Sequence, residues 1–292
     1  MRETILVQKK KGYIDFKFCE TISAGAGLIL AAETERCRIL RFRNNRPTLT
    51  GNYPKNPIIH QFLGELGFFK ILDIGYKPLS FDSDEKSSTQ FITMRTARRD
   101  QGQELNYVTE VFGTGSVQLD NEAKVSLYEG LLEAMNNVTA HAYPIKHQEA
   151  YNWTLPYQWW AAGYWDRERR EIAVLIYDMG VGIPATLKQD GYFADIQQRL
   201  GLGNSDQDKI KLAMEIGKSR LQSSHRGHGM ATLRHAINLV SDGSLLILSG
   251  MGRYYVSNKS EKTMALPSDI NGTFIEWRIR DENMITWKFN DG

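Results

Sequence analysis

The chain has 292 residues, 41% hydrophobic and 24% charged, a composition that can bury a core and a length near two domains at ~150 residues each. Lys and Arg number 36 against 34 Asp and Glu, and the resulting charge of +2 excludes a strongly basic nucleic-acid coat or an acidic tail. Only two cysteines occur, Cys19 and Cys37, which excludes a disulfide framework and a paired-cysteine zinc site; their apolar surroundings mark both as core thiols.

The first ten residues carry too short an apolar stretch for a signal peptide, and no uncharged apolar run approaches the ~18 residues of a membrane span. A reducing cytoplasm is the expected compartment. Tyr13–Cys19 alternates with period two and predicts a strand, Ala26–Glu35 a helix, and Arg38–Arg43 a second strand. Pro57 opens a helix expected to run to Leu66, where Gly67 stops it. The polar stretch Ser80–Ser88 reads as a linker. Strands are expected near Phe91–Thr96 and Tyr107–Phe112, then a long helix from about Asn121 to His141. After an aromatic stretch from Tyr151 to Trp165 come a strand at Ile172–Tyr177, a long polar region to Arg226, and a helix at Met230–Val240. Strands at Ser244–Ser249, Arg253–Val256 and Thr273–Arg280 end the series. Strands gathered late with helices interleaved predict an α/β sandwich rather than a parallel βαβ array.

Four segments carry chemistry. Glu129, Glu133, Asn137 and His141 fall four apart, so a helix stacks them on one face, while Leu127, Leu131, Ala134 and Val138 line another. Such a stripe suits a solvated face; it also suits a glutamate that deprotonates water beside an asparagine oxygen that ligates Mg²⁺. In Ile172-Ala-Val-Leu-Ile-Tyr-Asp178-Met-Gly180-Val-Gly182, a buried strand ends in a carboxylate followed by two spaced glycines. The carboxylate can accept from an exocyclic amine, and the glycines let backbone approach a flat ring. No Gly-Lys-Ser/Thr follows, so it is not a Walker loop. Arg226-Gly227-His228-Gly229-Met230 opens the next helix and offers free N–H groups and a positive dipole end to phosphate. Gly272-Thr273 leads into the last strand and by itself resembles an ordinary turn.

In this order and spacing the four segments resemble the GHKL superfamily, the ATPase fold shared by gyrase, heat-shock chaperones, histidine kinases and mismatch-repair proteins. The resemblance covers the chain from about Ser88 onward and implies a Bergerat-type α/β sandwich with a mixed sheet. It implies that Glu133 is the catalytic base and Asn137 the Mg²⁺ ligand. It likewise implies that Asp178, Gly180 and Gly182 form the adenine box, Arg226, Gly227, His228, Gly229 and Met230 the glycine box, and Thr273 the closing motif. Asn137-Val-Thr-Ala-His141-Ala-Tyr143 is similar to the anti-sigma-factor and histidine-kinase branch. There the segment between the glycine boxes is a lid over ATP; here it would span about Ala185 to Arg226, with Lys218, Arg220 and Arg226 near phosphate. Met230 stands where the family commonly has leucine. No histidine-bearing dimerisation helices precede the region, and His60, His147 and His235 read as surface or packing residues.

Residues 1–85 resemble a STAS domain, the anti-sigma-antagonist fold, through a strand, the Ser23-Ala-Gly25-Ala-Gly27 loop and alternating helices. Ala24 stands where antagonists carry the phosphorylated serine, which implies a scaffold. Leu30 takes the third glycine position of a dinucleotide fingerprint and excludes that motif. Tyr157, Trp159, Trp160, Tyr164 and Trp165 form an aromatic cluster that reads as core, with a partner surface as the alternative. The expected protein therefore joins a STAS-like module (1–85) to a histidine-kinase-like domain (86–292). It binds Mg²⁺-ATP and hydrolyses it, with an anti-sigma-type serine/threonine kinase and a non-hydrolysing ATP sensor as rival readings. A protein partner is expected at the STAS-like module or the lid, and the family's habit of dimerising around ATP implies a homodimer.

Overall fold

The computed structural model describes residues 1–41, 49–76, 89–98, 117–144, 153–187, 191–221, 229–280 and 285–287. The expected linker at 80–88, the strand at 107–112, His147, Arg226, Gly227 and His228 lie outside the described residues.

A central sheet orders the molecule. Its strands are β3 (Thr89–Arg98), β5 (Gln158–Asp166), β6 (Glu171–Asp178), β7 (Asp242–Ser249), β8 (Gly252–Ser257), β9 (Glu261–Ala265) and β10 (Thr273–Arg280), in the spatial order β3-β5-β6-β10-β7-β8-β9. Every pairing among these seven strands is antiparallel, which corrects the expectation of a mixed sheet. The reason is the connections: β5–β6, β7–β8 and β8–β9 are joined by tight turns that only antiparallel neighbours accept. Among the described residues, parallel pairing is confined to the short strands β1 (Gly12–Ile14) and β2 (Leu49–Gly51). A further two-stranded sheet pairs β4 (Val117–Leu119) with β11 (Ile285–Trp287).

Helices cover the sheet on both faces. Ile172, Val174 and Ile176 of β6 join a core with Leu127 and Leu131 of α4 (Asn121–Ala140), Met214 of α7 (Asp206–Leu221) and Leu233 of α8 (Gly229–Asn238). The alternate residues Ala173, Leu175 and Tyr177 face a second core with Leu28 and Ala31 of α1 (Ala24–Arg41), Leu63 of α2 (Pro57–Leu66) and Phe68 of α3 (Phe68–Ile71). Period-two alternation with both faces covered explains why β6 is buried along its whole length. The expected boundary near residue 85 lies outside the described residues, and segments on either side of it share the second core.

Two early elements differ from expectation. Arg38–Arg41 is the last turn of α1 rather than a strand, because the helix before it is packed on several sides, with Leu28, Ala31 and Cys37 all buried in the core, and carries on through these residues. Arg38 also caps the 68–71 helix by donating to the Lys70 and Ile71 carbonyls. The Tyr13–Cys19 strand is only three residues long, since Lys17 N–H donates to Asp15 Oδ1 and turns the chain. Cys37 is fully buried and its thiol is pushed up to about 11 by burial, as a core thiol should be; Cys19 is half-buried. The Pro57–Leu66 helix has its expected ends: Asn56 caps its first N–H groups and Gly67, at φ 88°, closes it. His60 is buried and stacked on Tyr53, whereas His235 is exposed in the last turn of α8. Of the aromatic cluster, Trp159, Trp160 and Tyr164 are buried, Trp165 is half-buried and Tyr157 is exposed.

Candidate functional site

The chemistry-bearing segments converge on one end of the sheet. Asp178 closes β6, and register sets it directly across from Thr273 on β10 and Trp159 on β5; Thr273 in turn faces Ser249 on β7. Directly paired residues share a face. Trp159, Asp178, Thr273 and Ser249 therefore form a transverse row beneath the α4–α8 layer.

Asp178 is nearly buried and accepts one described hydrogen bond, from Gly180 N–H at 2.7 Å. Burial pushes its carboxyl up to about 7, against the lowering effect of the Gly180 bond. A carboxylate has about four lone-pair positions, so most of its accepting capacity is unused. The Thr273 and Ser249 hydroxyls lie 3.0 Å apart, and Ser249 Oγ accepts from Ile183 N–H at 2.9 Å while lying 3.2 Å from the Gly272 carbonyl.

The glycines have geometric work here. A Cβ on Gly180 would lie 2.4 Å from Ala142 Cβ and 2.5 Å from the Ala142 carbonyl oxygen. Gly272, at φ 145°, lies against the Asp178 carbonyl so closely that a Cβ would overlap it. Gly182, at φ 83°, faces Ser249. Tyr177 Oη donates to the Ile270 and Asn271 carbonyls, which pins the loop leading into Gly272.

The long helix reaches this loop with its C-terminal end. The Asn137 carbonyl accepts from His141 and Ala142 N–H, and the Ala142 carbonyl accepts from Val181 N–H at 2.9 Å. Leu127, Leu131, Ala134 and Val138 are buried, as the sequence pattern requires. Glu133 and Asn137 are half-buried at the border of that face, while Glu129 and His141 are exposed. No described residue hydrogen-bonds the Glu133 carboxylate or the Asn137 side-chain amide. They are four residues, ~6 Å of axis, apart.

Helix α8 packs along β7 in the opposite sense. Its last turn abuts Gly243, where a Cβ would come within 2.8 Å of the Ile237 carbonyl oxygen. The Gly229 end of the helix therefore points toward the Ser249–Asp178 end of the sheet, and half-buried Met230 packs against the core. Between the two glycine boxes lie α5 (Ile183–Thr186), α6 (Gly191–Arg199) and α7. Ile210 and Met214 of α7 are fully buried in the main core, and Asp206 Oδ2 accepts from Met251 N–H at 2.8 Å. The expected lid thus includes a firmly docked helix. Lys218 and Arg220 fall in its last turns.

The structure brings Asn137, Asp178, Gly180, Gly182, Gly229 and Thr273 to one sheet end, with Glu133 a turn further along α4. Sequence reading missed Trp159, Ser249 and Ala142 as parts of this region. Their signal is register, visible only once β10 is known to lie between β6 and β7. Compared with known proteins, the chain matches no family model and no curated protein.

Proposed function

We propose that the chain is a Mg²⁺-dependent ATP-binding protein of the GHKL kind that hydrolyses ATP and acts as a regulatory switch. The observation that carries this reading is the buried, under-bonded Asp178 at the end of β6, flanked by Thr273 and by two glycines whose positions exclude side chains. Such a carboxylate suits the exocyclic amine of adenine, and guanine, which presents a carbonyl there, binds less well. Asn137 supplies a neutral oxygen toward the phosphates, and Glu133 takes a proton from the attacking water.

Among the described residues no group of three or more His, Cys, Asp or Glu could hold a metal. The Asn137 side-chain oxygen fits Mg²⁺, which binds through few protein oxygens and completes its shell with phosphate and water. When bound, the ion neutralises charge developing on the phosphates. The N–H groups at the Gly229 end of α8 face the same region and favour an anion. Helices α5–α7 and the α1–α3 layer are the proposed partner surfaces, with dimerisation a further expectation of the GHKL resemblance. No helix among the described residues is long and apolar enough to cross a membrane.

The test is incubation with γ-labelled ATP, alone and with co-purifying proteins. Free labelled phosphate supports hydrolysis. Label on protein would replace it with the serine/threonine kinase reading, and binding with neither product would leave a sensor.

A further inference from the structure

The transverse row has one member with nothing to bond. Thr273 and Ser249 share a hydroxyl contact, Ser249 holds Ile183, and Asp178 holds Gly180. The Trp159 indole Nε1–H is buried and has no hydrogen-bond partner among the described residues. Burial of an unpaired donor is costly, and natural proteins leave few such groups without a reason. Exposure along the row is 1% at Trp159, 7% at Asp178, 8% at Thr273 and 0% at Ser249. All four are buried, the two on the middle strands least completely. A flat ring against Asp178 and Thr273 would meet a hydroxyl already engaged at one end and a free N–H at the other.

A vacant donor beside a vacant acceptor is the complement of an amine beside a ring nitrogen, and adenine carries that pair on its edge. We propose that the Trp159 indole N–H donates to a ring nitrogen of the bound base while Asp178 accepts from its amino group, making Trp159 a specificity-determining residue of the site. This rests on the ATP reading above. The neighbouring Trp160 points to the opposite core and cannot substitute, since adjacent strand residues face opposite sides.

The test is calorimetric titration of ATP, 1-deaza-ATP and 7-deaza-ATP into the parent, Trp159→Phe and Asp178→Asn. Trp159→Phe should weaken ATP binding about three- to tenfold, the usual range for one neutral hydrogen bond. One deaza analogue should bind the parent more weakly by the same factor, and Trp159→Phe should bind that analogue no worse than the parent does. Should Trp159→Phe fail to fold, the ¹⁵N–¹H indole resonance of Trp159 in the parent gives a second reading and should move downfield on addition of ATP. If Trp159→Phe and parent bind all three nucleotides alike while Asp178→Asn weakens ATP, or if the resonance stays fixed, the indole contact is overturned and the pocket stands. If Asp178→Asn also binds ATP as the parent does, the pocket itself is overturned.

Discussion

Asp178→Asn should make the ligand-free protein less sensitive to alkaline pH. Burial raises the carboxyl of Asp178 from 3.8 to about 7. A raised folded-state value means that stability is fully present below the unfolded value and is lost as pH rises through the folded one. Over that whole window the loss is roughly 4 kcal/mol, at about 1.36 kcal/mol per unit. From pH 5 to pH 8 the same relation gives a loss of roughly 2–3 kcal/mol, because the unfolded carboxyl is already largely ionised at pH 5. Asparagine keeps an oxygen to accept from Gly180 N–H but carries no charge. The parent should therefore lose about 5 °C of Tm relative to the variant between pH 5 and pH 8, at about 2 °C per kcal/mol for a chain of this size. Taking the difference between the two profiles cancels every other titrating group. Thermal unfolding by circular dichroism across that range is sufficient. Parallel profiles would refute the desolvation of Asp178, and with it the physical basis for reading the residue as a reserved acceptor.

Asn137→Ala should abolish the Mg²⁺-dependence of nucleotide binding, seen by titrating ATP with and without the ion, because one hard oxygen is removed. Glu133→Ala should bind ATP like the parent yet release phosphate about 10²–10⁴ times more slowly, as loss of a general base requires; parental turnover would make Glu133 a solvated helix residue. Gly180→Ala should cost about 1–3 kcal/mol through overpacking against Ala142, read as a fall in Tm, and should weaken nucleotide binding together with stability.

Much of the architecture was legible in the sequence because local chemistry marked it. The Pro57–Leu66 helix announced both its ends, and the spacing of Leu127, Leu131, Ala134 and Val138 assigned the buried face of the long helix correctly. Arg38–Arg41, the described part of the expected Arg38–Arg43 strand, misled because a short alternation of arginine and apolar side chains imitates a strand, while the longer helical run behind it decides the outcome. The all-antiparallel sheet was illegible for another reason. Only the insertion of β10 between β6 and β7, a contact across nearly a hundred residues, fixes the order. The same insertion assembles the site. Asp178, its glycines and Thr273 could be named from the sequence, but Ser249 and Trp159 join them solely through register.

The most direct test of the account is the affinity of the parent and Asp178→Asn for Mg²⁺-ATP, measured calorimetrically at pH 8 and pH 6. The parent should bind at pH 8 and the variant about ten- to a hundredfold more weakly, as the loss of a charge-assisted hydrogen bond requires. Because the carboxyl titrates near 7, the parent should weaken about tenfold more than the variant on going to pH 6. Titration of ATP itself is common to both proteins and cancels in that comparison. No binding by the parent, or equal affinity in both proteins at both pH values, would contradict the assignment of Asp178 as the adenine acceptor.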